Sequence, residues 1–331
     1  MNDPAVTIVI PVWNGRARLE RLLEKLSGQT YPIVEVLAVD NGSTDGAADA
    51  AARSGARVLR MGSNLGFSRA VNAGIEACRT ELVALVNSDV EPDPRWLGCL
   101  VQGLHPGAWF ATGKILSLSR RDRIDGTYDL LSFAGCAWRK GQGRPDGPEF
   151  SRPQAIRMAP GTAALFRREL FERAGRFDDA FESYMEDVDF GLRCALLGLE
   201  GVYVPEALAW HEGSASLGAW SGSMVRRIAR NQVLLISRHY PPKVIRRYWW
   251  SILVGQCLWG VLAARHGAGC SFVKGKWAGL RAFRSMRRSG SEDPLARILR
   301  DCEREIAGTQ RRTGFDWYWK VYFLLTSGGL D

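Results

Sequence analysis

Residues 34–46, VEVLAVDNGSTDG, run from an apolar, β-branched stretch straight into a polar turn. Val34 to Val39 carries no glycine or proline and is rich in strand formers, so it reads as a buried strand. It stops at Asp40-Asn41-Gly42-Ser43-Thr44-Asp45, whose residue types make turns, and Ser43 or Thr44 suits the cap of a helix running to about Arg53. The surrounding chain repeats this unit. Thr7 to Val12 reads as a first strand, followed by a helix from Arg16 to Ser27 with Leu19, Leu22, Leu23 and Leu26 on one face. Arg57 to Met61 is a third strand, Ser68 to Cys78 a helix, and Leu82 to Val86 a fourth strand that runs into Asn87-Ser88-Asp89. Strands alternating with helices predict an α/β fold with a mostly parallel sheet. The polar strand ends are then expected to share one edge, where ligands of open α/β sheets bind.

Further on, Ile115 to Ile156 is rich in Gly, Arg, Asp and Pro and reads as a long excursion. Regular structure is expected again from Gly161 to Arg167, in a helix to Ala174, in a helix starting near Met185-Glu186-Asp187, and in a short strand, Val202 to Val204, leading to Trp210-His211-Glu212. The composition changes near residue 222, giving an expected first domain over 1–222 and a mostly helical one over 223–331.

At 331 residues, 46% hydrophobic and 24% charged, the chain has the composition of a folded globular protein. Its seven cysteines are scattered, with no CxxC spacing, so neither a disulfide framework nor a zinc cluster is indicated and a reducing compartment fits. The N-terminus shows no basic n-region or cleavage site, which argues against secretion by that route.

The residues at the expected binding edge are carboxylates, amides and glycines. Glycines let backbone N–H groups approach a phosphate, and a lone carboxylate after a strand can hold a hard divalent cation that bridges a diphosphate. No GxGxxG follows the first strand and no GxxxxGK[ST] occurs, which argues against a dinucleotide dehydrogenase and against a P-loop enzyme.

In this order along the chain, Ile10-Pro11-Val12-Trp13-Asn14-Gly15, Val39-Asp40-Asn41-Gly42-Ser43-Thr44-Asp45-Gly46, Asn64-Leu65-Gly66-Phe67 with Asn72-Ala73-Gly74, Asn87-Ser88-Asp89, Gly175-Arg176-Phe177-Asp178-Asp179, Tyr184-Met185-Glu186-Asp187-Val188-Asp189 and His211 resemble the family 2 glycosyltransferases of GT-A fold. The variant is most similar to the bacterial rhamnosyltransferase-type branch. The resemblance implies that Pro11, Val12, Asn14, Asp40, Asn41, Asn64, Gly66 and Phe67 hold the nucleotide, with Asn87 and Ser88 beside them. It makes Asp89 a ligand of Mg²⁺ or Mn²⁺ at the diphosphate, with His211 a second, and Asp187 the catalytic base, with Glu186 as alternative or acceptor-orienting partner. Asp189, two residues on along a helix, points away from Asp187. Many relatives carry an acid at the positions of Asn41 and Ser88, so the base preference, uracil or thymine, stays open. The implied activity is an inverting, metal-dependent transfer of a sugar, such as L-rhamnose, from a dTDP- or UDP-sugar to a glycan or polyprenyl-diphosphate-linked acceptor.

Plainer readings stand beside these. Asp40 and Asp45 also suit an Asx turn and a helix's first turn, Asp89 a surface loop, the three acids at 186, 187 and 189 a solvated helix start, and His211 a packed core. A catalytically silent GT-A-like subunit that binds nucleotide or scaffolds a glycan assembly complex is the rival for the whole chain.

Charge separates the two parts. Residues 225–331 carry 20 Lys+Arg against 7 Asp+Glu, and between Val225 and Arg288 there are fourteen basic residues and no acid, interleaved with Tyr248, Trp249, Trp250, Trp259 and Trp277. Tyr248 to Ala264 is uncharged over 17 residues, short for a membrane span, and fits a helix lying on an anionic membrane surface or one buried against the catalytic domain. Nucleic acid is discounted because the sugar-transfer motifs occupy the same chain. The expected location is the cytoplasmic, inner face of the cell membrane; oligomeric state has no signal.

Overall fold

The structure is a computed structural model describing residues 3–213, 220–286 and 292–326. It divides into two compact units, residues 3–128 with 141–213, and residues 129–140 with 220–326.

The first unit opens with β1 (Val6–Val12), α1 (Arg16–Ser27), β2 (Glu35–Asp40), α2 (Ala47–Arg53), β3 (Arg57–Arg60), α3 (Phe67–Ala77) and β4 (Leu82–Val86). The βα alternation read from residues 34–46 is therefore present. β1 pairs in parallel with both β2 and β4, and β2 with β3, so these strands end at a common edge. Next come β5 (Val90–Pro92), α4 (Trp96–Gly103), β6 (Phe110–Ser117) and β7 (Ile124–Gly126). The hairpin β8 (Asp129–Leu131) and β9 (Ala137–Arg139) belongs to the second unit. The first resumes with β10 (Gln154–Ile156), β11 (Ala163–Arg167), α5 (Arg168–Arg173), α6 (Glu186–Leu196) and β12 (Gly201–His211). Sheet order is β10-β12-β6-β11-β4-β1-β2-β3, with β5 on β12 and β7 on β6. The sheet is mixed, because β11 runs antiparallel between β4 and β6.

Alternation along β1 covers both faces. Ile8, Ile10 and Val12 join Leu19, Leu22 and Leu26 of α1 and Trp96, Leu97 and Leu100 of α4 in one core, while Val9 faces α3. On β11 and the following helices, Phe166, Phe171, Phe177 and Phe190 form a ring cluster with centroids 4.8–6.2 Å apart. Two sequence expectations change. The strand read at 202–204 runs on to His211, with a register irregularity after Val204. The supposed excursion from 115 contains the end of β6 and four short strands, because Leu116, Ile124 and Phe150 form a small core with Trp210.

The second unit is the β8–β9 hairpin with α7 (Gly222–His239), α8 (Pro242–Arg247), α9 (Trp249–Arg265), α10 (Gly269–Met286), α11 (Glu292–Thr313) and α12 (Trp317–Thr326). Gly275 and Gly279 lie where a Cβ would come within 2.8 Å of the Arg226 or Arg230 carbonyl oxygen, which lets α10 lie closely along α7. The hairpin is held by stacking of Phe133 on Tyr248 at 3.8 Å, by Trp138 against Trp319, and by the Tyr240 hydroxyl donating to the Ser132 carbonyl at 3.1 Å. Among the described residues no helix is long and apolar enough to cross a membrane.

Candidate functional site

The shared edge of β1, β2 and β4 gathers most of the residues singled out above. The Asn41 backbone N–H donates to the Val12 carbonyl at 2.7 Å, which locks the ends of β1 and β2 together. The Asn41 side chain then fastens a third loop: its Nδ2 donates to Asn64 Oδ1 and to the Gly66 carbonyl, both at 3.1 Å, and its Oδ1 accepts from Leu65 N–H at 2.8 Å. Asn14 receives the Thr44 N–H at 3.0 Å and donates its own backbone N–H to Ser43 Oγ at 2.9 Å. Asp40 Oδ1 accepts from Ser43 N–H at 3.0 Å, three residues on, and Asp45 accepts from Arg16 and Ala47 N–H, so both acids also tie down backbone N–H groups of this turn. Gly42, at φ +80°, passes so close to Ser63 that a Cβ would sit 2.6 Å from the Ser63 Cα.

Asp40, Asn41 and Val12 are buried, and the Val12 side chain is part of the core. Pro11, Asn14 and Phe67 are half-buried, Asn64 is exposed, and Trp13 and Leu65 stand exposed beside them. Amide side chains, backbone and exposed apolar side chains thus lie together at the ends of β1 and β2 and in the loop before α3.

β11 brings in the other half. Its antiparallel pairing sets Ala163 opposite Val86, so the Asn87 N–H donates to the Thr162 carbonyl at 2.9 Å. One residue back, the Gly161 N–H donates to Asp187 Oδ2 at 3.0 Å, and the same glycine lies against the Phe67 ring. Asp187 opens α6 half-buried, with Oδ1 accepting from Val188 N–H at 2.9 Å. Glu186 is only 6% exposed. Asp189 is fully buried and paired with Arg193 at 3.0 Å, committed to the packing of α6.

Antiparallel pairing of β5 with β12 sets Val90 opposite His211 and carries Asp89 to it. His211 Nε2 lies 3.3 Å from Asp89 Oδ1, and Nδ1 lies 2.9 Å from Asp125 Oδ2. Burial lowers the basicity of this imidazole, but the two carboxylates outweigh it and push it up to about 9. Burial works against ionisation of Asp89 too, yet His211, with Arg18 nearby, holds its carboxyl below the ordinary range. Arg18 is itself clasped by Glu212 at 2.9 Å.

Two facing donor atoms 3.3 Å apart suit neighbouring ligands of one octahedral cation, whose ligand bonds of about 2.1 Å at right angles span roughly 3 Å. Asn87 Oδ1, two residues before Asp89, is buried and without a hydrogen-bond partner. Among the described residues no three or more His, Cys, Asp or Glu side chains converge on one point, so the protein offers a partial coordination sphere. That is how hard cations are held between one or two carboxylates and substrate phosphates. The donor set therefore fits Mg²⁺ or Mn²⁺.

Asp125, Arg18 and Glu212 were not singled out in the sequence. Asp125 is 86 positions from its partner in a segment without a motif, and only the β7–β6–β12 pairing joins them.

A family model, Glycosyl transferase family 2, matches residues 7–175, and a second, Glycosyl transferase family group 2, matches residues 96–282. The N-acetylglucosaminyl-diphospho-decaprenol L-rhamnosyltransferase of Mycobacterium tuberculosis is 30% identical over 293 residues, covering 78% of this chain and 92% of the relative. The pre-mycofactocin glycosyltransferase of the same organism is 29% identical over 219 residues, covering 65% of this chain and 44% of the relative. Among solved structures, GalNAc-T7 with UDP, GalNAc and Mn²⁺ superposes with a TM-score of 0.64 at 16% identity, over 95% of this chain and 59% of that one. The mannosyltransferase PcManGT of Pyrobaculum calidifontis, with GDP-Man and Mn²⁺, gives 0.53 at 17% identity, over 100% and 89%.

Proposed function

The chain belongs to glycosyl transferase family 2, in its rhamnosyltransferase-type branch, and from that premise we propose that it transfers a sugar from a nucleoside diphosphate, with inversion, to a hydroxyl of a lipid-linked acceptor. L-Rhamnose carried on dTDP is the donor to try first and a polyprenyl-diphosphate-linked sugar the acceptor, following the substrate in the mycobacterial relative's name. The observation that carries the reading is the placement of Asp187: half-buried at the sheet edge, fixed by the Gly161 N–H, and next to the Phe67 loop assigned to the donor.

In the proposed reaction the Asp187 carboxylate takes the proton of the acceptor hydroxyl as it attacks the sugar carbon. Glu186 is buried and so less open to an acceptor than Asp187, which makes it the second choice for the base. Asn41, Asn14 and the Asn64–Phe67 loop shape the pocket for base and ribose. Asp89 and His211 would hold Mg²⁺ or Mn²⁺, which when bound neutralises charge on the departing diphosphate. A silent scaffold would need neither Asp187 nor the Asp89–His211 pair.

The helical unit supports a membrane partner. Val273, Trp277 and Leu280 recur at helical spacing on the outer side of α10 and are 64, 59 and 58% exposed, with Lys274, Arg281 and Arg284 beside them. Trp249, Leu253 and Val261 are exposed on α9, and Leu324 and Leu325 on α12. Exposed aromatics and aliphatics flanked by cations suit the headgroup layer of an anionic leaflet, where a lipid-linked acceptor would be met. The test is a thermal-shift screen of dTDP, UDP, GDP and their sugars with and without Mn²⁺, followed by a transfer assay with the stabilising donor and a polyprenyl-diphosphate-linked acceptor. No stabilisation by any of them, or stabilisation without transfer, would overturn the proposal.

A further inference from the structure

A carboxylate that ends in no motif touches the proposed cation site from behind. Asp125 sits in the middle of β7, three residues long, which pairs with β6, and β6 pairs in parallel with β12 up to His211. The segment is anchored on both sides. Ile124 packs into the small core with Leu116, Phe150 and Trp210, the residue before His211, and the Leu118 N–H donates to the His211 carbonyl at 2.9 Å. Backbone pairing and packing thus fix where Asp125 stands relative to His211, and its Oδ2 lies 2.9 Å from Nδ1.

An ionised carboxylate can only accept a hydrogen bond, so in this contact the hydrogen is on Nδ1. In a neutral imidazole the other nitrogen then keeps its lone pair, and Nε2 is the atom that faces Asp89 Oδ1. A protonated ring also places a hydrogen on Nε2 toward Asp89, 3.3 Å away, and a divalent cation taking that hydrogen's place would meet the Nε2 lone pair and the Asp89 carboxylate. Without Asp125 the ring is free to turn about its side-chain torsion or to place its hydrogen on Nε2, and either change removes the lone pair from the site.

We propose that Asp125 is the positioning residue of the cation site, holding the His211 ring in the orientation and tautomer that present Nε2 alongside Asp89. Outer-sphere partners of this kind contribute about 10–100-fold to metal affinity. This rests on the reading of Asp89 and His211 as cation ligands.

The experiment is Mn²⁺ binding by the full chain, read from the electron paramagnetic resonance signal of free Mn²⁺, in the presence of dTDP and, in parallel, UDP. Asp125→Ala is expected to weaken Mn²⁺ about 10–100-fold. Asp125→Asn keeps an accepting oxygen without the charge and should fall between it and the wild type. Melting temperatures of the metal-free variants report folding separately, and nitrogen couplings from the imidazole in the bound Mn²⁺ spectrum should be lost or altered in Asp125→Ala. Wild-type Mn²⁺ affinity and unchanged couplings in Asp125→Ala would overturn the role of Asp125 while leaving the cation site standing. Absence of Mn²⁺ binding by the wild type, or no loss on Asp89→Ala, would overturn the cation site and this proposal with it.

Discussion

Two neighbouring acids at the head of α6 divide the work between surface and interior. Asp187 meets solvent and the Gly161 N–H, whereas Glu186 is buried, so the two removals should differ. Asp187→Asn keeps size and an accepting oxygen but not the basic charge. It is expected to leave donor affinity near normal while lowering turnover at least about a hundredfold, equivalent to about 2.7 kcal/mol of barrier. Steady-state kinetics beside donor titration check this, with Glu186→Gln as the comparison; loss in the glutamine variant alone would move the base one residue back. Asp89→Ala should abolish transfer and make nucleotide binding indifferent to divalent cation, measured by calorimetry in EDTA and in Mn²⁺. At this scale the sequence was a good guide where a motif residue also makes the local hydrogen bond, as Asp40 and Asn64 do in closing their own turns. It was silent about Asp125, whose meaning is a contact across 86 positions.

Among the elements, some motif residues turn out to be fasteners. Asn72 of α3 donates to the Phe177 carbonyl at 2.7 Å and accepts its N–H at 3.0 Å, pinning the segment that leads to α6 onto α3. Two positions on, Gly74 lets α3 lie against β1 and β2: a Cβ there would come within 2.3 Å of Val9 Cγ1 and 3.1 Å of Val39 Cγ2. Valine side chains are stiff, so Gly74→Ala is expected to cost about 1–3 kcal/mol, seen as a lower urea midpoint at unchanged m-value. In the helical unit, burial pushes the Glu303 carboxyl of α11 up to about 7, despite hydrogen bonds donated by Tyr322 and the Phe133 N–H. The unfolded chain gives up this proton near 4.5. The stability it contributes is therefore complete below that pH and is lost as pH rises through about 7, in all on the order of 3 kcal/mol. Glu303→Gln, which still accepts both hydrogen bonds, should remove that decline from urea titrations between pH 4.5 and 7. Lys276, which burial holds down to about 8, acts in a separate window, losing its contribution as pH falls from 10.5 through 8. The strands and helices of the first ninety residues were legible because their periodicities are strong and their ends carry turn residues. The strands between 115 and 156 were not, because three-residue strands have no period to read and form only on neighbours supplied by β6 and β12.

Taken as a whole, the molecule puts its positive charge where its chemistry is not. The sugar-transfer motifs lie in the first unit, while the stretch of fourteen cations without an acid lies in the helical one. The full chain should sediment with vesicles of anionic phospholipid at low salt and detach only partly as salt rises, because screening weakens the cations but not inserted Trp277 and its neighbours. Val273→Glu with Leu280→Glu should release it at salt concentrations that the wild type withstands; equal binding to neutral vesicles, or none to either, would count against this surface. Composition made the change of character near residue 222 visible, but gave no hint that residues 129–140 pack with the helices. That hairpin also sets a timetable. It leaves the ribosome in the middle of the chain, yet Phe133 waits for Glu303, made 170 residues later, which at about 5–20 residues per second is roughly 10–30 s. Phe133 lacks its stacking ring until Tyr248 is made, and Trp138 lacks its partner until Trp319 follows, so the nascent chain presents a sticky segment that a chaperone can hold. A chain cut after the sugar-transfer motifs would carry this segment permanently, and should express as aggregate unless residues 129–140 are excised with the helices they belong to.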